Sequence, residues 1–114
     1  MLIVEYLYRD ANNYKDFRRV LLNGTLTKLE IEEIRAKLDE QLYFIPAQVG
    51  LPPADRLQRQ FGYDYEADHP WHELTRIEVV GVNGVNLEEE ETEEMTAPEL
   101  LEAFRAVEFW YAEG

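Results

Sequence analysis

The sequence predicts an α+β fold: a mainly antiparallel sheet of three or four strands with two amphipathic helices packed on one face. Short runs rich in β-branched and aromatic residues indicate strands, and two capping boxes each precede a helical apolar stripe. Hydrophobic residues make up 46% of the chain, as in a globular protein. The 114 residues have the length of one domain, so we expect residues 1–114 to share a single core.

Two strands are predicted at the start of the chain. Residues 2–8 are aliphatic and aromatic, and apolar side chains on both faces indicate a strand covered on more than one side. After a polar loop over residues 9–16, residues 17–22 are predicted to return antiparallel to it. Arg18 and Arg19 indicate that this second strand has a solvent-facing side or lies at a sheet edge.

The first helix is predicted to begin after Thr27, whose side chain forms a capping box with Glu30. Its apolar stripe, at three- and four-residue spacing, consists of Ile31, Ile34, Leu38 and Leu42. This stripe is typical of a helix that packs against a core.

An irregular connection is predicted over residues 42–51, because this apolar stretch contains Pro46 and Gly50. We expect it to lie across the core and to bury three side chains, those of Tyr43, Phe44 and Ile45. A short helix over residues 54–60 is expected after the two prolines that follow.

The clearest strand of the second half covers residues 74–82, and its β-branched side is predicted to face the core. That side consists of Thr75, Ile77, Val79 and Gly81. Asn83-Gly84 is the usual dipeptide of a type I′ hairpin turn, so a short returning strand is expected over residues 85–87. The glutamate-rich residues 88–94 are predicted to form a solvated loop, because like charges repel and resist burial.

The second helix is predicted from a capping box of Thr96 and Glu99, with Pro98 in its first turn. Its apolar stripe consists of Leu100, Phe104, Val107 and Tyr111. The end of the chain has more aromatic residues than one stripe can bury. We therefore expect Phe109 or Trp110 to pack on residues 43–45 or to contact a partner.

Acidic residues are concentrated in the second half of the chain. Residues 1–62 contain nine acids and nine bases, whereas residues 63–114 contain fifteen acids and two bases, which gives the whole net charge of −13. Affinity for nucleic acid depends on lysine and arginine contacts to phosphate, so we expect no direct nucleic-acid binding. The acidic half favours a partner with a basic protein surface, or serves solubility alone.

Several classes of chemistry lack their residues in this sequence. It has no cysteine and no serine, and its threonines occupy cap and strand positions, so the sequence argues against a covalent nucleophile and against an enzyme. The glycines are isolated and form no phosphate-binding loop. The first residues lack the features of a signal peptide, and their apolar run is too short to span a bilayer. We expect a cytoplasmic protein without a membrane partner.

A polar cluster around the two histidines is the candidate for chemistry. Pro70 predicts a tight turn that brings the two imidazoles together beside carboxylates. The candidate metal ligands are Asp68, His69, His72 and Glu73, with Asp10 or Asp64 as further members. These residue types can hold Zn²⁺ or another divalent ion, or act as general acid and base.

The alternative for the same cluster is structural. Trp71 then fills the core, and the histidines form hydrogen bonds with loop backbone. The sequence contains no HExxH motif and no second ligand pair of familiar spacing. We therefore predict no cofactor other than this candidate divalent ion.

Two surfaces are candidates for binding. The partner-binding candidates are Glu88, Glu89, Glu90, Glu91, Glu93, Glu94 and Trp110. A small ligand would instead use a groove with aromatic walls. The groove candidates are Tyr43, Phe44, Tyr63, Tyr65 and Trp71.

Three segments together resemble a group of small uncharacterised bacterial proteins. They are YRD with NYK at residues 8–15, FIP with QVGLP at residues 44–52, and DH with WHE at residues 68–73. The resemblance covers most of the first 75 residues. It implies a bacterial or bacteriophage setting, but no activity and no functional residues.

The sequence supports three functional hypotheses, in this order. The first is a non-catalytic acidic interaction or regulatory protein that binds a basic protein surface; a homo-oligomer is compatible with it. The second is a small metal-binding protein or hydrolase that uses the histidine cluster. The third is a small-ligand binder that uses the aromatic groove.

Overall fold

Strand β1 (Leu2–Arg9) lies at the centre of a five-stranded mixed sheet that curls into a half-barrel. The computed structural model describes residues 1–62 and 68–111. Side chains on both faces of β1 are buried, and the buried residues are Leu2, Ile3, Val4, Tyr6, Leu7 and Tyr8. This confirms the prediction that the first strand is covered on more than one side.

The other four strands lie on both sides of β1 in the order β3-β4-β1-β2-β5. Strand β2 (Lys15–Asn23) is antiparallel to β1, as predicted, and β4 (His72–Val79) is antiparallel to its other edge. The two-residue β3 (Tyr43–Phe44) pairs with β4. Strand β5 (Thr92–Thr96) is parallel to β2.

The predicted mainly antiparallel sheet of three or four strands was wrong. Residues 42–51 supply β3 before a 3-10 turn (Pro46–Val49), and the glutamate-rich stretch supplies β5. The predicted hairpin at Asn83-Gly84 is a 3-10 turn (Val82–Gly84), and residues 85–87 form no returning strand. The chain crosses instead to the β2 edge, where β5 pairs with β2 and runs directly into a helix that contributes to the core.

A β-bulge explains why the predicted core side of β4 was only partly right. The pairing with β1 passes from Leu74 to Arg76, so Thr75 has no partner across the ladder. Ile77 is buried as predicted, but Leu74 is also buried and Thr75 is exposed, with its hydroxyl donating to the Glu5 carbonyl at 3.0 Å. An extra residue reverses the alternation that a period-two pattern assumes.

The described residues form three helices, where the prediction had two amphipathic helices on one face of the sheet and a separate short helix after the prolines. They are α1 (Lys28–Lys37), α2 (Arg56–Phe61) and α3 (Ala97–Arg105), of which α2 matches the short helix expected after the prolines. Both capping boxes form as predicted, at Thr27 with Glu30 and at Thr96 with Glu99. Helix α1 ends at Lys37 and α3 at Arg105, so the last two residues of each predicted stripe lie beyond its helix. Leu38 and Val107 are still buried, whereas Tyr111 is 59% exposed.

The main core lies between one face of the sheet and helices α1 and α3. Its largest fully buried side chains include Tyr6, Phe44 and Phe104. Trp110 packs against Phe44 and Phe104, with ring centroids 6.5 and 5.9 Å away, which agrees with the expected packing on residues 43–45. In the part of the chain that the structure describes, no helix is long and apolar enough to cross a bilayer.

Candidate functional site

Tyr8, near the end of β1, organises the polar cluster that the sequence indicates. Its buried hydroxyl donates to Asp68 Oδ1 and accepts the backbone N–H of His69 at 3.2 Å. Its ring stacks on the His69 ring, with centroids 5.0 Å apart and an interplanar angle of 14°. Burial, followed by the hydrogen bond to Asp68, raises the pKa of Tyr8, so the hydroxyl stays protonated as a donor.

His69 uses both ring nitrogens for backbone hydrogen bonds. Its Nδ1 accepts the N–H of Trp71 at 3.1 Å, so Nδ1 carries no proton. Its Nε2 lies 2.7 Å from the carbonyl oxygen of Arg9 and donates to it. The two hydrogen bonds of the ring therefore hold residues 69–71 against the end of β1.

His72 makes the same use of its ring at a buried position. Its Nε2 accepts the N–H of Ala54 at 3.0 Å, and its Nδ1–H donates to the carbonyl of Pro70 at 3.0 Å. Burial lowers the pKa of His72 to about 4, and the nearby His69 also lowers it. His72 is thus neutral near pH 7 and has no nitrogen left for a metal or a substrate proton.

Glu73 lies on the opposite face of the sheet from His72. Neighbouring strand residues alternate in direction, and Glu73 pairs across the ladder with Leu7 whereas His72 pairs with Tyr8. The Glu73 carboxylate accepts the Arg9 Nε–H at 3.0 Å. The four predicted ligands are therefore not brought together around one ion. Among the described residues no group of three or more His, Asp or Glu has metal-binding geometry, and Asp64 lies outside them.

Side chains of three strands hold the backbone of residues 52–57. The Tyr6 hydroxyl donates to the carbonyl of Pro52, and Arg18 Nη1 donates to that of Pro53 at 2.6 Å. His72 accepts from Ala54, as described above, and the buried Asp16 accepts the N–H of Leu57 at 2.9 Å. These bonds fix the start of α2 against the ends of β1, β2 and β4.

Asp16 performs the N-capping role for α2 from a neighbouring strand. Within the described chain, the side chain of Asp55, which precedes α2, makes no capping hydrogen bond. Replacing Asp16→Ala leaves the half-buried N–H of Leu57 without its acceptor, and we expect a loss of about 1–3 kcal/mol in the free energy of unfolding. Urea denaturation measures this loss, and hydrogen exchange of residues 56–61 localises it.

The matched control is Asp16→Asn, which keeps an oxygen acceptor at the same place. We expect it to retain most of the stability and the slow exchange in α2. Equal stability of the alanine variant and the unmodified protein would contradict the capping role.

A cleft of about 440 Å³ lies between the β1–β2 loop and α2. Its polar and aromatic lining residues are Asp10, Asn12, Tyr14, Gln58, Phe61 and Asp68. Tyr14 is 66% exposed and Phe61 is 76% exposed. A second cavity of about 20 Å³ shares part of this lining and adds the buried Tyr8 and Asp16. The volume of the cleft is within the range of ligand pockets in proteins.

Sequence reasoning missed this cleft, because its lining comes from the β1–β2 loop, α2 and residue 68, which are far apart in the sequence. The sequence did contain one signal for the cleft, namely Tyr8 near the end of a core-facing strand. The buried hydroxyl of such a residue usually finds a partner, and here the partner is Asp68.

The predicted aromatic groove is packed rather than open in its described members. Phe44 is fully buried, and Trp71 packs against Trp110 with ring centroids 6.5 Å apart. Tyr43 is half-buried on the edge strand β3. Tyr63 and Tyr65 lie outside the described residues.

The partner-binding candidates differ in their surroundings: two glutamates form ion pairs, Trp110 is packed, and the other glutamates lie at or near the surface. Glu90 accepts from Arg19 Nη1 at 3.1 Å, and Glu91 forms a two-pronged ion pair with Arg18. The indole N–H of the half-buried Trp110 donates to the carbonyl of Lys37 at 2.8 Å, so this side chain is part of the packing. The remaining glutamates are exposed at 88, 89 and 94 and half-buried at 93.

Comparisons with protein-family models, with curated proteins and with solved structures give no match to this chain.

Proposed function

We propose that this protein is a non-catalytic interaction protein that binds a basic surface of another protein. One observation carries the proposal: most of its arginines are already paired with its own carboxylates. The paired arginines of the described chain are Arg9, Arg18, Arg19, Arg56, Arg59, Arg76 and Arg105. The acidic surplus of the sequence is therefore left at the surface, where it attracts a positively charged partner.

On one face of the sheet, arginines and glutamates of neighbouring strands form ion pairs. Glu5 of β1 lies between Arg19 of β2 and Arg76 of β4 and contacts both, with Arg19 Nη2 at 2.5 Å and Arg76 Nη1 at 3.4 Å. Arg19 continues to Glu90, so the pairing extends into the segment before β5. Such cross-strand pairs compensate the charges of β1 and β2. They also fasten one end of the glutamate-rich segment while residues 88, 89 and 94 stay exposed.

The metal or hydrolase alternative receives less support from the same geometry. Both ring nitrogens of His69 and of His72 are used by backbone groups, and Glu73 lies on the other face of the sheet. A general base needs a lone pair within reach of a substrate proton, and these imidazoles present none in this conformation.

Affinity capture tests the proposal. The tagged protein is exposed to a bacterial lysate, the setting that the resemblance implies, at low and at high salt, and the captured proteins are identified by mass spectrometry. We expect basic proteins to be enriched at low salt and released at high salt, because screening weakens contacts between exposed charges.

The matched control is a triple variant, Glu88→Gln, Glu89→Gln and Glu94→Gln, which removes three exposed charges and leaves the ion pairs of Glu90 and Glu91 in place. We expect it to capture less of the same proteins. Capture of no partner, or of one whose retention is insensitive to both salt and the triple variant, would overturn the proposal.

A further inference from the structure

We propose that the cleft between the β1–β2 loop and α2 is the point at which the partner is anchored, and that it takes the cationic end of an arginine side chain. The inference rests on the proposed function, because it names the site for the same basic partner. It assigns a role to Asp10, Tyr14, Phe61 and Asp68, which lie at the rim and along the wall of the cleft.

The charge of its lining residues distinguishes this cleft from the neighbouring ones. Its described lining contains the carboxylates of Asp10 and Asp68 and no basic residue. A cleft of about 240 Å³ contains three arginines beside three carboxylates, and another of about 370 Å³ contains Arg18 and Arg19 beside Glu5. The carboxylates of those two clefts already form ion pairs with the arginines, so neither lining has a surplus of negative charge. The cleft beside α2 is thus the described one whose lining favours a cation.

The aromatic side chains suit an organic cation. Tyr14 and Phe61 are two of the most exposed aromatic residues of the described chain, and both line this cleft. Aromatic faces attract guanidinium and ammonium groups, and the planar guanidinium also stacks on them. Exposed aromatic rings beside carboxylates therefore provide both a flat surface and a counter-charge for one arginine.

A metal ion fits the same place poorly. Asp10, Asp16 and Asp68 all line the small cavity that adjoins the cleft, yet the described carboxylates form no group with metal-binding geometry. The buried Asp16 has a distant basic neighbour, Arg56, whose Nε is 3.8 Å away and whose side chain is 80% exposed. A guanidinium has five N–H donors and needs no such compact group of ligands.

Both walls of the cleft are held in place before any partner binds. Asp10 Oδ1 accepts the N–H groups of Asn12 at 2.8 Å and Tyr14 at 3.0 Å, which closes the β1–β2 loop. The other wall, α2, is fastened through Leu57 to Asp16. A site that is already ordered loses less conformational entropy on binding.

Fluorescence anisotropy with labelled peptides tests the proposal. The probes are three peptides of equal length in which arginine, lysine or glutamine alternates with glycine and serine. We expect the arginine peptide to bind the unmodified protein most tightly, the lysine peptide more weakly and the glutamine peptide least. Asp10→Asn keeps the Oδ1 acceptor of the loop and removes the charge, and Phe61→Ala removes an exposed ring. Each change is expected to weaken binding of the arginine peptide about tenfold.

Two controls make failure of the cleft distinguishable from failure of the proposed function. Phe109→Ala removes another exposed ring, one outside the cleft lining, and is expected to leave peptide affinity unchanged. The triple glutamate-to-glutamine variant tests the acidic surface alone. If the triple variant weakens binding of the arginine peptide while Asp10→Asn and Phe61→Ala do not, the cleft assignment is wrong and the function stands. If the unmodified protein binds all three peptides equally, or none at low salt, both are wrong.

Discussion

Acidification from about pH 6.5 to about pH 4 is expected to destabilise the folded protein through His72. The pKa of this ring falls from an ordinary value of 6.5 to about 4 in the fold. Between these pH values the unfolded chain binds a proton that the folded chain does not. The stabilising contribution is therefore complete above pH 6.5, decreases as the pH falls, and is lost below about pH 4. Its full size is on the order of 3 kcal/mol.

The surroundings of His72 explain why its pKa is lowered rather than raised. Burial is the largest cause and disfavours the imidazolium, and the neighbouring His69 acts in the same direction. The carbonyl of Pro70 and the more distant Asp55 and Asp16 favour the protonated ring but do not outweigh burial. A proton on Nε2 would also meet the N–H of Ala54, which now donates to that nitrogen. Protonation thus breaks the contact that holds residues 52–57 to β4.

Urea denaturation at a series of pH values measures this effect. Other acids titrate in the same range, so the informative quantity is the difference between the unmodified protein and His72→Gln, whose amide oxygen can accept from Ala54 but does not titrate there. We expect the variant to lose less stability on acidification. The matched control His69→Gln, at a half-buried ring, should retain most of the pH dependence. Identical pH profiles for the unmodified protein and His72→Gln would show that His72 is not the responsible group.

Local signals explain what the sequence predicted well. Both capping boxes need residues within three positions of each other, and both form as expected. The apolar faces of residues 2–8 and their antiparallel pairing with the next strand also follow from nearby residues. Of the alternatives predicted for Phe109 and Trp110, the packing of Trp110 on residues 43–45 is the one observed.

Long-range pairing explains what the sequence did not predict. The parallel contact of β5 with β2 joins residues about seventy positions apart, and five residues rich in glutamate and threonine have no apolar alternation that marks a strand. Strand β3 has two residues and exists because β4 offers its edge. The bulge at Thr75 shifted the core side of β4 by one residue. A strict alternation of core-facing and solvent-facing residues does not predict such a shift.

The sequence predicts a polar cluster around the two histidines, but the chemistry of these rings depends on backbone atoms. Composition shows that His69 and His72 lie among carboxylates, whereas the donors and acceptors that occupy their nitrogens belong to Arg9, Ala54, Pro70 and Trp71. Ala54 reaches His72 across eighteen positions of chain. The number of carboxylates near a histidine in the sequence therefore cannot distinguish a metal-binding histidine from one that only forms structural hydrogen bonds.

Replacing Phe44→Ala is expected to be the most damaging of the single changes considered, at about 3–5 kcal/mol of the free energy of unfolding. Phe44 is fully buried although it belongs to a strand of two residues. Its ring lies 5.5 Å from Tyr6, 6.0 Å from Phe104 and 6.5 Å from Trp110, measured between centroids. One side chain thus joins the sheet, α3 and the end of the chain, and its removal leaves a cavity bordered by all three.

Phe109→Ala provides the matched comparison, because the same atoms are removed from a ring that is 57% exposed. We expect it to change the stability by no more than about 0.5 kcal/mol. Urea or thermal denaturation of the two variants side by side measures the difference. A loss for Phe44→Ala as small as that for Phe109→Ala would mean that β3 is not part of the core. The position of His72, whose ring centroid lies 6.4 Å from that of Phe44, would then need another explanation, since this packing contributes to its burial.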